Sequence, residues 1–182
     1  MIIWVASYPK SGNTLLRSIL TSLLFTEDGN VNFEKLHHIS NFSSGFFFEK
    51  FTSNYGEIKE ISKYWIEAQE ELNKNKKLKF FKTHNALCKI NGNSFTNSRN
   101  TIGAIYVVRD PRDVIISASK YYNKSIGETK KNMFNQNMDL VNNYKGGQTI
   151  TFLGSWSDHY NSWVKNSKNI LLIKYENLIN DK

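Results

Sequence analysis

Ser7-Tyr8-Pro9-Lys10-Ser11-Gly12-Asn13-Thr14 joins two apolar stretches of different period. Before it, Ile2-Ile3-Trp4-Val5-Ala6 is short, uncharged and β-rich, which predicts a buried strand. After it, Leu15, Leu16, Ile19, Leu20, Leu23 and Leu24 recur at helical spacing and predict one apolar helix face. A strand, then a polar loop with Lys, Ser, Gly and Thr, then a helix is the arrangement that builds an anion site. The unpaired N–H groups and the positive dipole end of the helix face the loop, and the lysine adds a full charge. An ordinary strand-to-helix turn is the plain alternative. The loop is not a Walker A motif, because Lys10 precedes the single glycine instead of following the second of two.

The bulk properties set limits around this loop. A chain of 182 residues reads as one domain, 1–182, large enough to bury a core. A hydrophobic fraction of 40% and an aromatic fraction of 14% exclude a disordered chain. A net charge of +8 favours an anionic partner, and on charge alone nucleic acid, acidic membrane and phosphorylated small molecules all qualify. The single Cys88 rules out an intrachain disulfide and a cysteine metal cluster, and suits a reducing compartment such as the cytoplasm. No stretch is long enough to span a bilayer, and the N-terminal apolar run lacks the basic region of a signal peptide.

Further along, Val31 to Tyr55 has no clean period and reads as a loop packed over the core, or as an aromatic wall of a ligand pocket around Phe42 to Phe51. His37 and His38 read as surface residues. Glu57 to Asn75 predicts a helix with Ile58, Ile61, Trp65, Ala68 and Leu72 on one side. Leu78 to His84 predicts a second strand. Residues i and i+2 of a strand point the same way, so Lys82 and His84 can reach one site. Asn85 to Asn100 reads as a loop. Ile102 to Val108 predicts a third strand that runs into Arg109-Asp110-Pro111-Arg112-Asp113, with Asp110 as N-cap, Pro111 at the first helical position and Asp113 placed as the capping-box acid. Arg109 at the strand end offers phosphate a bidentate contact and Ser117 offers a hydroxyl; pairing of Arg109 with Asp110 or Asp113 is the alternative. Ile126 to Val141 reads as a helix broken at Gly146-Gly147, Thr151 to Asn166 as another with His159 structural, and Asn169 to Tyr175 as a fourth strand.

The order Tyr8-Pro9-Lys10-Ser11-Gly12-Asn13-Thr14 resembles the 5′-phosphosulfate loop of sulfotransferases that use 3′-phosphoadenylyl sulfate (PAPS). Tyr106 to Val114 with Ser117-Ala118-Ser119 resembles their 3′-phosphate motif, Lys82-Thr83-His84 their strand with the general base, and Gly154-Ser155-Trp156 to Trp163 and Tyr175-Glu176 later family patterns. These matches run in the family's order from Tyr8 to Asp181.

The resemblance implies a P-loop-like three-layer α/β/α fold with a mainly parallel central sheet. It implies PAPS as cosubstrate, adenosine 3′,5′-bisphosphate (PAP) as product and no metal. In that scheme His84 is the general base, Lys10 stabilises the leaving phosphate oxygen and Lys82 assists the transferring group. Lys10, Ser11, Gly12, Asn13, Thr14 and Leu15 would hold the 5′ end, Arg109 and Ser117 the 3′-phosphate, and Tyr175 would lie near the adenine. The acceptor is a small molecule or glycan bearing a hydroxyl or amine; nucleic acid is not expected. Two positions depart from the pattern. Leu15 stands where many cytosolic members have a tryptophan that stacks on adenine, and Asn13 where threonine is usual. The family pattern also continues past the position of Lys182, with a segment that closes over the 3′-phosphate. A nucleotide or small-molecule kinase would need a Gly-Lys-Ser/Thr loop and an acidic magnesium site. A non-catalytic anion-binding module would show steep salt dependence and no nucleotide preference.

Overall fold

The computed structural model describes residues 1–144, 147–167 and 169–180. The predicted Ile2–Ala6 strand forms (β1), and behind the loop stands helix α1 (Asn13–Phe25). Short 3₁₀ turns follow at Phe33–Ile39 and Gly45–Phe47. Helices α2 (Ile58–Ile61) and α3 (Trp65–Asn73) lead to β2 (Lys79–Thr83). A small hairpin, β3 (Lys89–Ile90) and β4 (Asn93–Ser94), precedes β5 (Thr101–Val108) and α4 (Pro111–Tyr122). The remainder is α5 (Ile126–Phe134), a second hairpin of β6 (Asp139–Tyr144) and β7 (Gly147–Phe152), α6 (Trp156–Asn166), β8 (Ile170–Lys174) and α7 (Tyr175–Asn180).

Four strands form one parallel sheet in the order β2-β1-β5-β8. Side chains alternate across it, as period two requires. Ile2, Trp4, Ala6, Ala104 and Tyr106 face one side, against Ile61, Trp65 and Ala68 from α2 and α3 and Trp163 from α6. Val5 and Val107 face the other, against Leu16 and Leu20 of α1 and Leu178 of α7. Helices on both faces make three layers, the predicted α/β class. Trp4 is wholly buried, and its indole N–H donates to Thr101 Oγ1 at 2.8 Å. Truncating such a residue costs about 3–5 kcal/mol.

The chain leaves β1 toward β2 on one side and leaves β5 toward β8 on the other. The strand order therefore reverses between β1 and β5, and the crevice at their carboxyl ends is where open parallel sheets bind ligands. The two loops that open there are Ser7–Gly12 and Arg109–Asp110.

Several local expectations give way. Leu23 and Leu24 of α1 are exposed, and the buried side of that helix is Leu16 with Ser18, Thr21 and Ser22. Ser18 and Ser22 fit there because their hydroxyls bond the backbone, at Thr14 O and Asn30 O, while Thr21 Oγ1 is buried without a hydrogen-bond partner. The Glu57–Asn75 helix is broken by a 3₁₀ turn at Ser62–Tyr64, with its apolar side kept. Asn85 to Asn100 is not all loop. Asn91 and Gly92 both take positive φ and turn the β3–β4 hairpin, as an Asn-Gly pair favours.

The Ile126–Val141 helix ends at Phe134, and residues from Asp139 form β6 instead. Gly147 begins β7, while Gly146 lies outside the described residues, as does Asp181. Thr151 and Phe152 belong to β7, and the last long helix starts only after Ser155, whose hydroxyl caps Asp158 N. The alternation Thr149-Ile150-Thr151-Phe152 carries the strand period that a helical reading overrides. The segment around Phe42 and Phe48 packs on the core: both are buried, and Phe42 meets the Trp4 ring edge-on at 5.1 Å. His37 and His38 are exposed.

Candidate active site

A cleft of about 650 Å³ opens at the β1–β5 crevice. Of the residues expected at the site, Lys10, Gly12, Asn13, Thr14, Leu15, Lys82, His84, Arg109, Ser117 and Tyr175 line it together. Ser11 does not. It is buried beneath the loop, its N–H turns back to Tyr8 O at 3.3 Å, and its hydroxyl has no partner.

The loop owes its path to two left-handed residues, Lys10 at φ 66° and Gly12 at φ 100°. At Gly12 the reason for glycine is doubled. The φ favours it, and a Cβ would sit 2.3 Å from Tyr175 Cδ2, well inside contact distance. Asn13 does not turn its amide into the cleft. It donates to Val5 O at 3.0 Å and to Ser7 Oγ at 3.2 Å, tying the start of α1 to the end of β1. Gly12 caps α1 with no side-chain acceptor, so the first-turn N–H groups have no capping partner.

The cations of this half rest on aromatic faces. Lys10 Nζ lies 3.7 Å from the centre of the Tyr121 ring, and Arg109 Cζ lies 4.3 Å from that of Tyr175. Arg109 NH1 also donates to Lys10 O at 3.4 Å. Burial and the nearby Arg109 charge lower the Lys10 pKa. Asp110 does not neutralise Arg109, because it is taken by Arg112 at 2.6 Å and caps α4 by accepting from Arg112 N. Asp113 stands 4.0 Å from Arg109 Nε, at the limit of an ion pair. Among the described residues no carboxylate lines the cleft.

The other half is built on the end of β2. A short run at Ser40–Phe42 adds to its edge: Lys82 N donates to Ser40 O at 2.9 Å, and Phe42 N to Lys82 O at 3.0 Å. Burial, with the Arg17 charge nearby, pulls the Lys82 pKa down to about 8. His84 Nδ1 lies 2.7 Å from Ser7 O. A carbonyl only accepts, so Nδ1 carries the proton in the neutral ring and Nε2 keeps its lone pair. Burial and the Lys82 charge hold the His84 pKa well below the ordinary value. The imidazole is therefore neutral at neutral pH.

His84 is in turn held from behind. Its carbonyl accepts from His159 Nε2 at 3.0 Å, and Tyr106 O–H donates to His159 Nδ1 at 2.8 Å. His159 is wholly buried with both nitrogens committed, which is a structural histidine. The β6–β7 hairpin supplies Leu140, Val141, Asn142 and Asn143 to the far wall. These residues, with Tyr121 and Tyr122, escape a reading by motif; Tyr121 stands four residues after Ser117 on α4, a spacing that marks the shared helix side.

In sequence, the chain is 42% identical over 79 residues to mouse Sulfotransferase 2B1, covering 42% of this chain and 22% of the relative. It is 31% identical over 121 residues to the guinea pig 3-beta-hydroxysteroid sulfotransferase, covering 64% and 40%. It is 27% identical over 177 residues to the guinea pig 3-alpha-hydroxysteroid sulfotransferase, covering 96% and 52%. The chain thus spans about half the length of such relatives or less. In fold, it superposes on mouse sulfotransferase SULT7A1 complexed with PAP, with a TM-score of 0.56 at 23% identity, covering 99% of this chain and 53% of that one. It also superposes on retinol dehydratase in complex with androsterone and PAP, with a TM-score of 0.53 at 19% identity, covering 99% and 55%. A model of the sulfotransferase domain matches residues 2–182, essentially the whole sequence, and the chain belongs to that family.

Proposed function

We propose that the chain forms the donor site and transfer centre of an enzyme that moves a sulfuryl group from PAPS to a hydroxyl or amine. One observation carries this reading. A single cleft joins three cations, no carboxylate among its described lining residues, and an imidazole nitrogen free to take a proton. The residues present fit a nucleotide with two separate phosphate groups. Lys10 and the start of α1 stand at one end, and Arg109 with Ser117 on α4 at the other. Arg109 lines the cleft with no close carboxylate partner, since Asp113 stands 4.0 Å off, so its guanidinium has donors for such a ligand. PAP, the ligand of the two solved relatives, has the matching charge pattern.

His84 would take the acceptor proton at Nε2 while Nδ1–H stays on Ser7 O. The acceptor oxygen or nitrogen bonds to sulfur as the bond from sulfur to the bridging phosphate oxygen breaks. Lys10 and the first-turn N–H groups would meet the charge that grows on that oxygen. Lys82 would hold the transferring group. Tyr175 would flank the adenine in the role that Leu15 lacks the ring to fill. The site's charges are met by cations and backbone donors, so no metal is assigned to it. The unpaired Cys88 supports a cytoplasmic setting.

Calorimetry with PAP against ADP–Mg²⁺ tests the reading. PAP is expected to bind at least tenfold more tightly. Arg109→Ala should cost PAP about 1.5–3 kcal/mol, the range for a hydrogen bond to a charged group, and leave adenosine 5′-phosphate nearly unaffected. Equal binding of PAP and ADP–Mg²⁺ favours a kinase, and steep salt dependence without nucleotide preference favours a plain anion-binding module.

A further inference from the structure

A second cavity, of about 480 Å³, adjoins the transfer centre. Asn142 and Asn143 line both it and the main cleft. Its other walls include Arg17 on α1, Ser40 and Asn41 beside the Lys82 strand edge, and Phe47. Two of its lining residues carry buried polar atoms without a partner: Arg17 Nε and Asn41 Oδ1. Arg17 makes one hydrogen bond, from NH2 to Leu36 O at 2.9 Å, and no ion pair among the described residues. No carboxylate lines the cavity among those residues either. Burial lowers the Arg17 pKa, as expected of a cation short of compensation, and guanidinium stays charged regardless. A guanidinium without an ion pair beside an open cavity is a cation that an anionic ligand can compensate through its remaining N–H groups.

Resting on the sulfotransferase reading above, we infer that this cavity is the acceptor subsite, and that the acceptor is a hydroxylated, sugar-like molecule carrying an oxyanion, a carboxylate or sulfate, which pairs with Arg17. Hydroxyls answer Asn41, Ser40 and the paired asparagines, and the exposed Phe46 ring suits a sugar face. The Arg17 charge reaches Lys82 and lowers its pKa, so the oxyanion also offsets a repulsion beside the reacting group. A steroid, the acceptor class in the names of two curated relatives, satisfies neither the cation nor the amides.

The test is binding and turnover in the presence of PAP or PAPS, with methyl β-glucuronide, methyl β-glucoside and androsterone as probes. The glucuronide is expected to bind the PAP complex at least tenfold more tightly than the glucoside and to show the higher kcat/KM. Arg17→Met should abolish that preference with PAP affinity unchanged within twofold, and Arg17→Lys should retain part of it. If Arg17→Met fails to fold for want of the Leu36 bond, Arg17→Lys decides, with at least a threefold fall in the preference expected. No preference in the parent chain, a preference that survives in Arg17→Met, or androsterone as the best acceptor overturns the inference and leaves the donor reading standing. Failure to bind PAP at all sinks the donor reading, and this inference with it.

Discussion

His84 and His159 are one hydrogen bond apart, and burial drives both pKa values down, yet they differ in what their nitrogens can do. His159 sits in the core with Tyr106 on one nitrogen and the His84 carbonyl on the other. His84 spends one nitrogen on Ser7 O and presents the other to a cleft lined with cations. A depressed pKa is therefore common to a scaffold histidine and a candidate base. The uncommitted nitrogen facing an open cavity separates them, because only a free lone pair can receive a proton from a substrate.

The sharpest way to break the comparison is to remove each ring. His84→Ala is expected to lower kcat by about 10²–10⁴-fold, the usual worth of a general base, with PAP affinity and melting temperature nearly unchanged. His159→Ala should do the reverse. Loss of a fully buried ring and its two hydrogen bonds should cost about 2–4 kcal/mol in urea unfolding, with residual turnover per folded molecule. Near-normal turnover in His84→Ala would remove that residue from the mechanism.

Lys10 extends the contrast to the other end of the cleft. Lys10→Ala should cost about 2–4 kcal/mol of transition-state stabilisation, as for loss of an oxyanion donor, read as a fall in kcat under saturating PAPS. An effect confined to KM would make Lys10 a binding residue only.

The smallest effect is in pH. His159 has its folded pKa lowered to about 4 against an ordinary 6.5. Between those values the unfolded chain binds the extra proton, so stability is complete above about pH 6.5 and drains away as pH falls toward 4. His159→Phe should flatten that part of a stability–pH curve. In kcat/KM for PAPS, an alkaline limb near pH 8 is expected from Lys82, whose charge is lost above that point, and Lys82→Met should remove the limb. A profile flat through pH 9 would mean that the Lys82 charge plays no part.

Much of the cleft was legible in one dimension because its parts are local. A strand of five apolar residues, the lysine and glycine of the loop, the Asp110-Pro111 helix start and the two-residue spacing of Lys82 and His84 are short-range signals. Each sets a backbone conformation or a shared direction by itself. The hairpin at Asp139–Phe152 was not legible as the far wall, since a polar Asn-rich run lacks a decisive period and its strand pairing is long-range. The exposed Leu23 and Leu24 show the same limit: spacing places residues on one side of a helix but does not say what covers that side.

By itself, then, the amino-acid order determined the alternation of strands with helices and the residue types at each strand end, through periodicity and turn chemistry. Only the tertiary structure decided which side chains remain uncommitted. That His84 keeps a free nitrogen while His159 does not, that Asn13 and Ser11 turn inward, and that Arg17 lines a second cavity without an ion pair among the described residues all depend on partners distant in the chain. Hydrogen-bond valence is filled in space, and that filling sorts like residues into scaffold and site.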